Sequence, residues 1–261
     1  MIKEGSLVCL RDLRGKSWLV RVDKNRNFTF DRGQINMETL VGKDYGSKIE
    51  IKGRSPIFAL RPGPPDFLKR FKKVTQVLYP DDCAVLVGTS GVGPGSEVVE
   101  AGTGSGGLTS YLAYHVQPTG HVYSYDKEQH HQDIALENIR IAGLEKHVTF
   151  HCRDIAQGIK EINMDSVFLD LACPWEGAIA AAQAALKPGG ILTIFVPNWS
   201  QVERSVAAIK AGQFLLLEAF EIFRRDLKID LSRSIMRPET RFVVAYTGVV
   251  ISAAKLAPDL P

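Results

Sequence analysis

Two patterns of apolar and polar positions succeed one another along the chain. Up to about residue 60 the apolar residues come in short runs, at 7–10, 17–22, 27–30, 48–51 and 56–60, with glycines at 5, 15, 33, 42, 46 and 53 between or beside them. Runs of this length between turn-forming glycines predict short strands, and several at close spacing predict a small β-barrel or sandwich. The stretch Arg61-Pro62-Gly63-Pro64-Pro65 then stiffens the chain and withholds the backbone donors a central strand needs. A domain boundary is expected there, dividing a small β-rich domain, 1–63, from a larger one, 64–261.

Past the boundary, apolar strands alternate with amphipathic helical segments. The strands fall at 97–101, 121–125, 147–152, 166–171 and 190–196, and the helices at 107–116, 128–142, 176–186 and 200–211. Such alternation predicts βαβ units, hence an α/β fold with a Rossmann-like doubly wound sheet. The alternation then stops. Segments 214–223 and 242–252 predict two long strands with no helix between them, joined by a charged loop as an antiparallel hairpin at the sheet edge.

Composition narrows the class without choosing a function. The chain has 261 residues, 45% hydrophobic and 23% charged, enough for one large domain and a small one and too apolar for a disordered chain. No apolar run approaches the roughly 18 to 20 residues of a membrane span, and the start lacks the apolar stretch of a signal peptide. A cytoplasmic protein with no membrane partner is expected. Cys9, Cys83, Cys152 and Cys173 form no C-x-x-C pair, so neither a metal site nor a disulfide framework is indicated. The net charge of +3 leaves room for a locally basic face.

The chemistry concentrates at the ends of the predicted strands. Glu100-Ala-Gly102-Thr-Gly104-Ser105-Gly106-Gly107 follows a strand and opens a helix, the context in which glycines permit a tight turn and close approach of a ligand to the backbone. Gly102, Gly104 and Gly107 also satisfy the dinucleotide pattern, so the loop alone leaves both ligands open. A dinucleotide sets its pyrophosphate on the helix N-terminus, whereas S-adenosylmethionine has no phosphate and carries a sulfonium and an ammonium. Glu100 repels the first and suits the second. Asp126 ends the next strand, where a carboxylate accepts from both ribose hydroxyls of either ligand. Asp154 follows the third strand, within reach of an adenine amine. Three acids at successive strand ends favour the methyl donor, although Asp126 and Asp154 also suit plain helix caps.

Asp170 closes the fourth strand in Asp170-Leu-Ala-Cys-Pro-Trp175, which places it beside the methyl to be transferred. A carboxylate there suits attack by an amine-like nitrogen, because it accepts a hydrogen bond from the base and stabilises the charge that develops. Cys173 as a nucleophile lacks a flanking base. Trp175 is a candidate for stacking on an extruded base or for core packing.

These residues, with Thr75-Gln-Val-Leu-Tyr79-Pro-Asp81 and Pro197-Asn198-x-x-Gln-Val202, resemble the tRNA adenine-N1 methyltransferases of the TrmI type over nearly the whole chain. Leu10-Arg-Asp-x-x-Gly-Lys-x-Trp-Leu-Val20 and Arg32-Gly33 extend the likeness into the β-rich region. The resemblance implies a class I methyltransferase fold and modification of adenine 58 in the tRNA T-loop, with adenine 57 as well in archaeal members. It implies a methyl-donor loop of Glu100, Gly102, Gly104, Ser105 and Gly106, a ribose ligand at Asp126, an adenine ligand at Asp154 and a catalytic Asp170. It further implies a homotetramer. Tyr79, Trp175, Phe195 and Asn198 become candidate substrate contacts. The chain departs from the family at Tyr246-Thr247, where a His-Thr pair is usual, at Phe195, where some members carry tyrosine, and at Cys173; the first two bear on base handling.

Residues 52–73 carry Lys52, Arg54, Arg61, Lys69, Arg70, Lys72 and Lys73 against the single acid Asp66. Lys69, Arg70 and Lys72 are the core of this candidate phosphate-binding surface for tRNA, and a solvated charged face is its bland counterpart. A second basic cluster at 224–241 is diluted by acids. The alternatives to an RNA methyltransferase are a protein or small-molecule methyltransferase, for example isoaspartyl repair, a nicotinamide-dependent dehydrogenase and a noncatalytic RNA-binding subunit.

Overall fold

A computed structural model describes residues 1–31, 33–230, 233–238, 244 and 246–258. The chain divides into two compact units, Met1–Lys72 and Lys73–Pro261. The first holds β1 (Leu7–Asp12), β2 (Ser17–Arg21), β3 (Asn27–Phe30), β4 (Gly33–Asn36), β5 (Ser47–Ile51), β6 (Arg54–Leu60) and helix α1 (Pro64–Leu68). Its strands form an antiparallel sheet in the order β2-β1-β6-β5 and a separate β3-β4 ribbon. Among the described residues these ladders do not close into a ring. Val8, Leu10, Ile57 and Ala59 are buried in the core of this unit, with Trp18, Phe28 and Phe30 packed against it.

Two features of this unit differ from expectation for local reasons. β4 carries a single large apolar side chain, Ile35, too faint a pattern to read as a strand. The prolines at 64 and 65, expected to interrupt the chain, instead start α1, where a missing N–H is no loss. The division between the units accordingly falls past α1.

The second unit contains α2 (Pro80–Thr89), β7 (Glu97–Ala101), α3 (Gly107–His115), β8 (His121–Asp126), α4 (Gln129–Ala142), β9 (Val148–Cys152), β10 (Met164–Leu169), α5 (Ala178–Ala185), β11 (Leu186–Val196), α6 (Trp199–Ala211), β12 (Phe214–Glu221), β13 (Leu227–Asp230), β14 (Ile235–Pro238) and β15 (Val249–Lys255). Seven strands pair in the order β12-β15-β11-β10-β7-β8-β9. The five from β11 to β9 are parallel, and β15 runs antiparallel between β11 and β12. The central parallel strands carry apolar stretches, Val98-Val99 in β7, Val167-Phe168-Leu169 in β10 and Ile194-Phe195-Val196 in β11, because helices cover the sheet, and Val167, Leu192, Ile194 and Ala182 of α5 are fully buried.

The edge differs from the expected hairpin. The β12–β15 pair is antiparallel, but a two-stranded ribbon, β13–β14, stands between its strands in sequence. Of the strand expected at 242–252, residues 242, 243 and 245 lie outside the described residues, 244 and 246–248 are not in a strand, and β15 begins at Val249. α2 was not foreseen, although Pro80 at its first position and Asp81 and Asp82 in its first turn are helix-start signals. No helix among the described residues is long and apolar enough to cross a membrane.

Candidate active site

Strand order reverses at β7: β8 and β9 lie to one side, β10 and β11 to the other. The crevice outside the carboxyl ends of strands at such a point is where α/β sheets hold ligands. The glycine loop leaves β7 there. Gly102 has φ +95°, and a Cβ on it would stand 2.2 Å from the backbone oxygen of Asp170. Only glycine allows the ends of β7 and β10 to close in this way, and the Asp170 N–H donates to the Ala101 carbonyl at 3.0 Å. Gly104, at φ +50°, would bring a Cβ to 2.8 Å from Thr75 Oγ1, so the segment at 75 lies directly over the loop. Gly106 serves the scaffold: it caps α3 in the left-handed region, and its Cβ would meet Ala135 at 3.2 Å.

Asp126 holds the loop from the end of β8. Its Oδ2 accepts from the Gly104 N–H at 3.0 Å and its Oδ1 from the Glu128 N–H at 2.9 Å, with His131 Nδ1 at 3.3 Å. It is therefore both a brace for the turn and a wall of the crevice. The Ser105 hydroxyl is likewise engaged, accepting from the Val74 N–H at 3.0 Å, and Asn138 donates to the Ser105 carbonyl at 2.9 Å.

Glu100 departs from expectation. It lies 1% exposed beneath the loop, where Oε2 accepts from Thr109 at 2.6 Å and Ser124 at 2.7 Å while Oε1 has no partner. Burial pushes its carboxyl up to about 8, against the pull of those two hydroxyls. The side chain is thus largely neutral at pH 7. It supports the turn from below, and the direct repulsion of phosphate expected of it does not follow.

A cavity of about 330 Å³ opens above the loop, walled by Gly102, Gly104, Ser105, Asp126, Asp154 and Asp170 among others. Asp154 also caps a short 3₁₀ turn, its Oδ1 accepting from the Ala156 N–H at 2.9 Å, so the capping and lining roles coexist. A second cavity, of about 310 Å³, is walled by Tyr79, Asp82, Phe195, Pro197, Gln201 and Thr247. Gln76, Val77, Leu78, Asp170 and Leu171 belong to the walls of both. Among the described residues Asp170 is the one carboxylate common to the two. Burial, with the charge of Asp82 added, raises it to about 6. Asp82 is itself raised, chiefly by burial.

The structure brings together Gly102, Gly104, Ser105, Asp126, Asp154 and Asp170 at the first cavity and Tyr79 and Phe195 at the second. It leaves others apart. Trp175 packs against the core under the Arg204 guanidinium, 5.3 Å from its ring centre, and lines neither cavity. Asn198 caps α6, its N–H donating to Gln201 Oε1 at 3.1 Å, and Gln201 donates onward to the Ala172 carbonyl at 2.8 Å. It therefore acts through Gln201, which does line the cavity. Lys69, Arg70 and Lys72 are exposed in the first unit, where Lys69 pairs with Asp66 at 3.4 Å. Asp82 was missed, since it follows a recognised motif by one residue and nothing local signals its burial; Gln201 and Thr247 stand in motifs noted in the sequence but were given no place in the site. Tyr246 donates to the Pro197 carbonyl at 2.7 Å, fixing the rim.

Comparison with known proteins gives the chain its relatives. The family described as tRNA methyltransferase complex GCD14 subunit matches residues 56–240. The tRNA (adenine(58)-N(1))-methyltransferase TrmI of Thermus thermophilus is 33% identical over 85% of this chain and 87% of its own. The tRNA (adenine(57)-N(1)/adenine(58)-N(1))-methyltransferase TrmI of Methanocaldococcus jannaschii is 30% identical over 96% and 95%. Among solved structures, a SAM-dependent O-methyltransferase from Thermotoga maritima superposes with a TM-score of 0.84 at 28% identity, covering 100% of this chain and 96% of that one.

Proposed function

Because this chain belongs to the family described as the GCD14 subunit of the tRNA methyltransferase complex, we propose that it transfers a methyl group from S-adenosylmethionine to N1 of adenine in tRNA. The observation that carries the reading is that one carboxylate, Asp170, walls both cavities. The first cavity fits the methyl donor: a glycine cradle too close-set for side chains at Gly102, with Asp126 and Asp154 facing it. We assign the ribose hydroxyls to Asp126, the adenine amine to Asp154 and the target base to the second cavity, against Tyr79 and Phe195. When bound, the methyl donor supplies an electrophilic methyl group, and its positive charge passes to the base.

Asp170 is ionised at neutral pH, since about 6 is its midpoint. It accepts from the exocyclic amine of the adenine, which turns N1 toward the first cavity, and its charge stabilises the cation the base becomes. Aligning two reactants across one shared wall also removes much of the entropy cost of their encounter. Exposing a stacked base costs about a few kcal/mol, which phosphate contacts must offset. We assign those contacts to the basic residues between Lys52 and Lys73, and so expect free adenosine to be a poor substrate.

The target is adenine 58 of the T-loop, with adenine 57 as a second candidate, and the setting is the cytoplasm. We also propose a homo-oligomer, expected to be a tetramer, in support of which Leu227, Ile229 and Met236 of the β13–β14 ribbon are exposed. A monomer in light scattering at micromolar concentration would contradict that. For the activity, labelled methyl donor and unmodified tRNA should give N1-methyladenosine on nucleoside analysis. Methyl transfer that survives ribonuclease treatment would instead favour a protein or small-molecule substrate.

A further inference from the structure

We infer that Asp82 is a positioning residue for this methyl transfer, one carboxylate that holds two walls of the base cavity and adds its negative charge to that of Asp170 where the base becomes cationic. The inference rests on the proposed function and extends it to a residue outside the glycine loop and the strand ends.

Asp82 is 1% exposed, and both its oxygens are engaged. Oδ2 accepts from the Tyr79 N–H at 3.3 Å and Oδ1 from the Thr247 hydroxyl at 2.9 Å. The first bond is an ordinary one for an acid in the opening turn of a helix, reaching back to the cap residue. It requires neither burial nor a second partner. The bond to Thr247 is of another kind, joining residues 165 apart in sequence. Tyr79 and Thr247 both wall the second cavity. Beside Thr247, a Cβ on Gly248 would fall 2.4 Å from Cζ of Phe195, so this segment is also pressed onto the cavity's aromatic wall. A single buried carboxylate therefore ties the Tyr79 loop to the segment that seats Phe195.

Charge gives the second part of the argument. Asp82 and Asp170 wall a cavity whose other lining residues, among the described ones, are apolar or uncharged, with no lysine, arginine or histidine. Two carboxylates on one cavity whose described walls hold no cation are costly to bury, and a ligand that becomes positive relieves that cost. Among the described residues the other titratable groups around the pair are Asp81, Tyr79, the buried Cys83 thiol and Glu100, with Arg224 and Asp226 across a neighbouring cavity that Asp82 also walls. The cation Arg224 is engaged by Asp81 at 2.6 Å and by Asp226 at 2.8 Å. The charge of Asp82, after burial, is what raises Asp170 toward about 6.

Asp82→Asn separates charge from strut. Its amide oxygen still accepts from the Tyr79 N–H and its NH₂ donates to Thr247 Oγ1, so the walls keep their ties while the charge is lost. Asp82→Ala loses both. The measurements are turnover on unmodified tRNA against pH, KM for tRNA, and the titration of the Asp170 carboxyl carbon by NMR in RNA-free protein. Asp82→Asn is expected to keep the wild-type KM, to lower saturating turnover by about tenfold or more, and to move both the acid limb and the Asp170 titration to lower pH. Asp82→Ala is expected to raise KM as well. Wild-type turnover with an unmoved acid limb in Asp82→Asn would overturn the inference and leave Asp82 a strut. Should the wild-type protein make no N1-methyladenosine, the proposed function fails, while the Asp170 titration still decides whether Asp82 governs that carboxyl.

Discussion

The two cavities that share Asp170 are built by opposite means. The first is walled largely by the glycine loop and by residues at successive strand ends, all within a stretch that a motif can describe. The second is assembled from Tyr79 and Asp82 around the start of α2, Phe195 at the end of β11, Gln201 on α6 and Thr247 before β15. The difference teaches where precision is stored. The loop's shape is enforced by sterics, since no Cβ fits at Gly102. The second cavity's shape depends on long-range hydrogen bonds, Thr247 to Asp82 and Tyr246 to Pro197.

Substitutions can break or sharpen that contrast. The largest effect is expected at the shared wall. Asp170→Ala should lower turnover by roughly a hundredfold or more, the range for a preorganised electrostatic group, while calorimetric affinity for S-adenosylhomocysteine stays at the wild-type value. Turnover near wild type would remove Asp170 from the chemistry. In the first cavity the order of effects reverses. Asp126→Ala should weaken S-adenosylhomocysteine binding by about 1.5 to 3 kcal/mol, because a charged acceptor is lost and the Gly104 N–H is released. Unchanged affinity would contradict the ribose assignment.

A steric test follows. Gly102→Ala forces a methyl group into the Asp170 carbonyl and should destabilise the protein by about 1 to 3 kcal/mol in denaturant unfolding, with affinity for the methyl donor lost as well. Stability equal to wild type would mean that the two strand ends are not closed as described. In pH dependence, activity should fall as pH drops through about 6, because protonated Asp170 no longer accepts from the base. A flat profile from pH 7 to pH 5 would exclude that carboxylate as the essential ionised group.

The smallest effect is expected at Glu100. With its midpoint raised to about 8 it is mostly protonated at pH 7, so Glu100→Gln should leave turnover within a factor of a few of wild type. The sign of its stability effect is set by the same shift. A folded-state value above the unfolded 4.5 means that the folded chain holds the proton longer, so stability falls as pH rises from about 4.5 to about 8. Glu100→Gln should flatten that fall in urea unfolding. An unaltered slope would show that Glu100 does not hold the proton.

The fold was legible where periodicity was strong. The βαβ alternation from β7 to α6 appears in the sequence because apolar pairs and runs such as Val98-Val99 and Val167-Phe168-Leu169 mark the strands, and between them α4 and α6 each carry one apolar face. α2 and the β13–β14 ribbon were not legible, since Val85-Leu86-Val87 reads equally as a strand and Leu227 and Ile229 alternate with charges on an exposed ribbon. Of the site, the glycine loop, Asp126, Asp154 and Asp170 could be located because their positions follow from strand ends. Burial decided the rest. Glu100 reads as a charge facing the ligand in one dimension and is a buried, largely protonated acid in three, while Asp82, one residue past a motif, is a long-range tie. Trp175, which the sequence leaves open between base stacking and packing, is partly buried against the core.

The most direct test is a crystal structure with S-adenosylhomocysteine bound. The account predicts its ribose on Asp126 and its sulfur facing Asp170, with the second cavity open behind that carboxylate. An analogue bound away from the glycine loop, or a sulfur turned from Asp170, would contradict it.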